Sequence, residues 1–175
     1  MSPADPLLPL LLAAREGNDA ALTELVRRTQ PAVWNLCAAL GSTDDVADLA
    51  QETYERMLRA MHSYEGRAPV RPWLLRIARN VCADAVRRAV RRRRTELRAR
   101  PADEDLLVAP SDRSAFDLID ELPPERREAF VLTQHLGLSY GEAADVLGCP
   151  IGTVRSRVSR ARAELRAAIL QSESA

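Results

Sequence analysis

A chain of 175 residues can hold one ordinary domain or two small ones. Apolar residues make up 46% and aromatics only 4%, which suits Ala/Leu/Val-rich helices and speaks against an aromatic-rich sheet protein. Net charge is zero and all 25 cations are arginine, yet residues 67–100 carry +10 between flanks of −5 over 1–66 and −6 over 101–128. A neutral chain with one segment so basic is suited to meet a polyanion locally, most plausibly nucleic acid, with a solvated charge run as the plainer alternative.

Cys37, Cys82 and Cys149 follow no ligand spacing, and neither His62 nor His135 has a Cys or His close by in sequence. This argues against a zinc site, a disulfide scaffold and any cofactor held by such residues. The apolar run Leu7 to Ala14 is short, contains Pro9 and lacks a preceding basic region, so it reads as a helix start and not as a signal peptide or membrane span. A cytoplasmic protein without membrane insertion is expected.

In chain order, apolar spacing predicts helix from about Leu10 to Leu40, interrupted near Gly17 and Asn18 and ended by Gly41 as a C-terminal cap. Ser42 and Thr43 can cap the next helix, and Asp44 and Asp45 suit the positive end of its dipole. Its apolar side uses Val46, Leu49, Ala50, Thr53, Met57 and Met61. Asp48, Gln51, Glu52, Glu55, Arg56 and Arg59 are left exposed.

After the loop YEGRAPVRP comes a helix from Pro72 to about Arg94, with Pro72 suited to the first turn. Leu74, Ile77, Val81 and Ala85 gather on one side. Arg76, Asn80, Arg87, Arg91 and Arg94 gather opposite, with Arg79 at the edge. A purely structural helix gains nothing from so many like charges, whose repulsion costs stability, whereas a phosphate-binding role explains them.

Thr95 to Asp112 mixes charges with two prolines and little helical period, and is expected to be a mobile linker between residues 10–94 and 114–170. A helix is expected around Ser114 to Glu121, then a second from near Pro124 to Gly137. Ser139 and Glu142 have the spacing of a capping box, and Gly148-Cys149-Pro150 makes a tight turn. In the last helix Ile151, Val154, Val158, Ala161 and Leu165 form one stripe for burial, while Arg155, Ser156, Ser159, Arg160 and Arg162 point elsewhere. Short helix, tight turn and longer basic helix make a helix-turn-helix. The expected fold class is therefore all-α, two small helical domains on a flexible linker, the second containing the helix-turn-helix.

Four stretches, DDVADLAQETYERML, RPWLLRIARN, LPPERREAFVLTQHLGLSYGEAADVLG and CPIGTVRSRVSRAR, make the chain resemble an extracytoplasmic-function sigma factor of the sigma-70 family over about Leu10 to Ala168. The resemblance implies a non-enzymatic, cofactor-free subunit that binds RNA polymerase core enzyme and promoter DNA. The helix bearing Asp48, Gln51, Glu52 and Arg56 resembles the surface that docks on the polymerase clamp helices. The loop Glu65 to Arg71 and the following Trp73, Arg76, Arg79, Asn80 and Arg87 fall where the family recognises and melts the minus-ten element. Trp73 by itself reads more readily as a core residue than as a stacking platform. Thr153, Arg155, Ser156, Ser159, Arg160 and Arg162 occupy the minus-thirty-five reading positions, where Arg can pair with guanine edges. Arg157 is open to a phosphate-directed or a structural role.

Many relatives are held inactive by an anti-sigma factor, so that partner is a further expectation of the resemblance. The competing reading is a DNA-binding regulator that uses the helix-turn-helix without replacing a sigma factor, though such a protein needs no acidic docking helix. A nuclease fares worse, because no clustered carboxylates, metal ligands or nucleophile-base set stands at a recognisable spacing.

Overall fold

The computed structural model describes residues 5–41, 46–99 and 115–172, leaving aside the side chains at 96–99 and 115–117. Ser42 to Asp45, expected to cap a helix, and most of the expected linker lie outside them. The described residues form helices joined by turns, with no strand among them.

Two helices precede the basic segment. Helix α1 (Leu8–Arg15) ends before Gly17, whose φ of 92° is open to glycine at little cost. Asn18 then caps α2 (Asp19–Leu40), its Oδ1 accepting from Ala21 N at 3.0 Å. Gly41 ends α2 as expected, but not as a left-handed cap, since its backbone is extended at φ −80° and ψ 110°. Its reason is space. A Cβ at Gly41 would sit 2.7 Å from the Cys37 carbonyl oxygen and closer still to Leu49.

Helix α3 (Val46–Ala60) buries Leu49, Ala50, Thr53 and Met57, the side that the spacing selects, and a short 3-10 turn from Met61 to Ser63 follows it. Helix α4 (Val70–Ala99) starts two residues before Pro72 and runs five beyond Arg94, into the stretch read as linker. Its buried side is broader than one stripe. Leu74, Leu75, Ala78, Val81, Cys82 and Ala85 are all buried, because α2 and α3 both pack on it. Cys37 of α2 and Cys82 of α4 meet there as free thiols. The Cys37 sulfur, and then burial, push the Cys82 thiol far above its ordinary range.

The remaining helices are α5 (Ala115–Asp120), α6 (Pro124–Phe130), α7 (Tyr140–Leu147) and α8 (Ile151–Ser172). Helix α6 widens into a π-helical turn from Val131 to His135, which closes before Gly137. Ser139 and Glu142 form the expected capping box. Ser139 N donates to Glu142 Oε2 at 2.8 Å and Glu142 N to Ser139 Oγ at 3.2 Å. In α8, Val154, Val158 and Ala161 are buried, whereas Ile151 is 44% exposed. Ile151 is the first residue of the helix, and burial of the stripe begins one turn further in.

The two helical groups pack against each other. Helix α7 meets α4, and α5 and α6 meet α2, so that Ala129, Val131 and Leu132 share one apolar cluster with Leu36 and Leu75. Polar contacts flank this seam. Arg71 donates to the Leu136 carbonyl at 2.7 Å, and Arg79 pairs with Glu128 at 3.0 Å.

Gly41→Ala offers a test of the close α2–α3 approach. Extended backbone alone would let alanine stabilise the fold by ~0.4–1 kcal/mol. The clash with Leu49 and the Cys37 carbonyl reverses that sign, and a destabilisation of about 1–3 kcal/mol is expected in urea unfolding.

Candidate nucleic-acid and polymerase interfaces

The α3 face presents Asp48, Gln51, Glu52, Glu55, Arg56 and Arg59 around a shallow depression of about 350 Å³. Asp48 and Gln51 are exposed, with Gln51 donating to Glu55 at 3.2 Å. Glu52 and Arg56 are half-buried because they are shared with α4. Arg56 donates to Glu52 at 2.6 Å and to Asp84 at 2.8 Å, and Arg88 reaches Glu52 at 3.2 Å. Asp84 also takes Arg87. Arg56, and then Arg87, hold the Asp84 carboxyl below the usual carboxylate range. The result is a face whose outer rim is free and whose inner rim is fixed to the neighbouring helix.

Residues expected at the minus-ten element separate into two places. Trp73 and Arg76 line a cleft of about 340 Å³ with Ser63, Tyr64, Glu65, Arg67 and Ala68. Trp73 is half-buried and faces Tyr64, the ring centroids 4.9 Å apart and tilted by 60°. Trp73 thus packs against the apolar core and lines the cleft at the same time. Gly66 turns the loop at φ 73°, and Tyr64 donates its hydroxyl to the Ala68 carbonyl at 2.5 Å. Tyr64 was not legible as a site residue, because only the fold stands its ring against Trp73.

Arg79 and Arg87 instead line a second cleft of about 390 Å³ between α4 and α6, with Leu40, Cys82, Pro124, Arg127 and Glu128. Arg79 gives Nε and Nη2 to the two oxygens of Glu128, so its guanidinium faces the second helical group. Asn80 is exposed one turn beyond Arg76.

On α8 the side chains of Arg155, Ser156, Ser159, Arg160 and Arg162 are exposed and Thr153 is half-buried. Among the described residues neither Arg155 nor Arg160 has an ion-pair partner. Ser156 Oγ donates to the Thr153 carbonyl at 2.9 Å, and Arg162 to Gln134. Arg157 pairs with Glu125 at 2.6 Å and is largely covered, so that it ties α8 to the first turn of α6. Among the described residues no group of His, Cys, Asp and Glu could hold a metal ion, and no helix is long and apolar enough to cross a membrane.

Two helical modules, one with an aromatic-walled cleft beside cations and one with a basic helix-turn-helix, define a class of DNA-directed proteins. Comparison with known proteins narrows the class. Sigma-70 region 2 matches residues 25–92 and sigma-70 region 4 matches residues 113–165, so that Asp5 and α1 precede both. The chain is 43% identical over 165 residues to the ECF RNA polymerase sigma factor SigC of Mycobacterium tuberculosis, covering 90% of this chain and 88% of that one. It is 31% identical over 169 residues to the ECF RNA polymerase sigma-E factor of Haemophilus influenzae, covering 87% and 89%. Among solved structures it resembles CnrH in complex with the cytosolic domain of CnrY, with a TM-score of 0.70, 31% identity and coverage of 91% and 94%. It also resembles the sigma factor RpoE of Bartonella quintana in complex with the anti-sigma factor NepR, with a TM-score of 0.69, 27% identity and coverage of 83% and 94%. The chain belongs to the extracytoplasmic-function RNA polymerase sigma factors of the sigma-70 family.

The Arg56–Asp84 pair sets a pH dependence. The folded-state pKa of Asp84 is depressed, so its contribution is present above the ordinary carboxylate pKa of about 4 and is lost as pH falls through the folded value. The pair is about a third exposed, which limits it to ~1 kcal/mol. Urea unfolding of Asp84→Asn beside the unsubstituted chain should show a stability gap near pH 7 that begins to narrow as pH falls below about 4 and closes only below the depressed folded pKa.

Proposed function

We propose that the chain acts as a non-catalytic, cytoplasmic sigma subunit with its tasks divided among three surfaces. The α3 face, through Asp48, Gln51, Glu52 and Arg56, docks on core polymerase. The cleft of Tyr64, Trp73 and Arg76, with Asn80 beside it, takes an unstacked base of the minus-ten non-template strand, while Arg87 and, once freed from Glu128, Arg79 follow the strand backbone. Helix α8 reads the minus-thirty-five duplex.

Each surface has the chemistry its task needs. A flipped base needs a pocket, a π-face and nearby cations, and the tilted Trp73–Tyr64 pair beside Arg76 supplies them. A recognition helix needs donors that are not already satisfied within the protein. The observation that carries the reading is this contrast on α8. Arg157 is bound to Glu125, whereas Arg155 and Arg160 stand exposed without ion-pair partners among the described residues. At the start of α8, Gly152 adds a backbone donor and the positive end of the helix dipole for phosphate, while Thr153, whose N–H donates to the Pro150 carbonyl at 2.9 Å, adds its hydroxyl. Residues 10–94 and 114–170 are read as two domains, joined through 95–113.

An anti-sigma factor is a further partner in this reading, since CnrH and the Bartonella RpoE were each solved with a bound partner, in the second case an anti-sigma factor. A pull-down from the native host tests it. Recovery of core polymerase alone would count against it.

Run-off transcription with core polymerase and a promoter library tests the division of tasks. Arg155→Ala and Arg160→Ala should each flatten discrimination at one minus-thirty-five position by roughly 5- to 150-fold, the effect of losing a bidentate contact worth ~1–3 kcal/mol. Gln51→Ala should leave base preference intact and weaken core assembly by roughly fivefold. Equal promoter-specific output from all three variants would defeat the assignments.

A further inference from the structure

Helix α4 has no cap of its own. Its first N–H belongs to Val70, and the residue before it, Pro69, has a side chain without an acceptor. The missing acceptor arrives from sixty-five residues away. Asp5 divides its carboxylate, Oδ1 accepting from Leu7 N at 3.0 Å and Oδ2 from Val70 N at 2.6 Å. One bond ties Asp5 to the entry of α1 and the other ties α1 to the start of α4.

The carboxylate is presented by a rigid support, because Leu7, Leu11 and Ala14 are all buried in the core. A negative charge at this position also complements the positive end of a 30-residue helix. On the other side of the same turn, Arg71 is fixed to the Leu136 carbonyl. The first turn of α4 is therefore held from both flanks, and Trp73 and Arg76 are carried on that turn and the next. Only the residues from Tyr64 to Pro69 separate this turn from the preceding 3-10 turn, and the Tyr64 hydroxyl closes on Ala68 within them. Asp5 also lies close enough to Tyr64 for its charge to add to burial in pushing the phenol pKa upward. A shift of the Val70 end would change the spacing between the Tyr64 and Trp73 rings.

We propose that Asp5 is a positioning residue for the base-capture cleft: by capping α4 from the N-terminal segment, it sets how Trp73 and Arg76 stand against Tyr64 and hence which base the cleft prefers. The proposal rests on the reading of that cleft as the minus-ten site. It assigns promoter selectivity to a residue ahead of the matched sigma-70 region 2.

Holoenzyme assembled from the full chain and core polymerase tests it, in competition binding to single-stranded non-template minus-ten oligonucleotides that carry each of the four bases at each position in turn. At the position most discriminated by the unsubstituted chain, Asp5→Ala should compress the ratio between best and worst base by about fivefold, the scale of a lost helix cap. Asp5→Asn keeps one acceptor oxygen and should fall between the two. Affinity for core polymerase and for minus-thirty-five duplex should stay unchanged in both variants. An unchanged base ratio in Asp5→Ala overturns the proposal. So does a loss that is equal for all four bases and accompanied by weaker core binding in both variants, since that marks a merely structural cap. If the unsubstituted holoenzyme discriminates at no position, the cleft reading itself falls, and the proposal falls with it.

Discussion

Helix α4 has to satisfy several neighbours at once, and the rest of the arrangement follows from how it does so. Its apolar side closes the first core against α2 and α3, and this is why six of its residues between Leu74 and Ala85 are almost wholly buried. Its start forms one wall of the loop cleft, while its edge carries Arg79 to the second helical group. A helix committed on one side by packing density has little freedom to rotate. The cations on its other side therefore stand at fixed positions, which a docking surface for a nucleic-acid strand requires.

The arginines divide by whether a carboxylate claims them. Glu52 and Asp84 hold Arg56, Arg87 and Arg88 in one network that spans α3 and α4. Glu125 holds Arg157, Glu164 holds Arg126, and Glu128 holds Arg79. Those pairs tie elements together. Among the described residues, the arginines of α8 that no carboxylate claims are Arg155, Arg160, Arg162 and Arg166, all of them exposed. The acidic flanks seen in the charge pattern are thus partly internal partners for the basic segment. Only part of the local +10 is available to a polyanion, and net charge by segment overstates it.

Local periodicity made much of this legible. The buried side of α3, the capping box of α7 and the middle of the α8 stripe depend on residues three or four apart, a spacing the sequence displays directly. Contacts across long separations leave no such trace. Asp5 with Val70, Arg79 with Glu128, and Cys37 with Cys82 join positions that nothing in their neighbourhoods links. Gly41 shows a subtler limit. Its role as a helix end was readable, but its cause, the approach of Leu49 from the next helix, was not. The continuation of α4 past Arg94 illustrates competition between signals. Its charge and low apolar content resemble a linker, yet Arg, Leu, Glu and Ala are good helix formers, and the helix already propagating through Arg94 extends at low cost.

The seam between the two helical groups combines interactions of different strength. The Arg79–Glu128 pair retains 29% and 16% side-chain exposure, and a pair of that kind contributes ~1 kcal/mol at most. The burial of Ala129, Val131 and Leu132 is different in kind, since an exposed Val or Leu forfeits ~1.5–3 kcal/mol. The second group is also packed within itself, α6 and α7 both lying against α8. The ion pair is therefore the part of the contact between the groups that a competing surface can replace most cheaply, and the shared apolar cluster is the part that resists replacement.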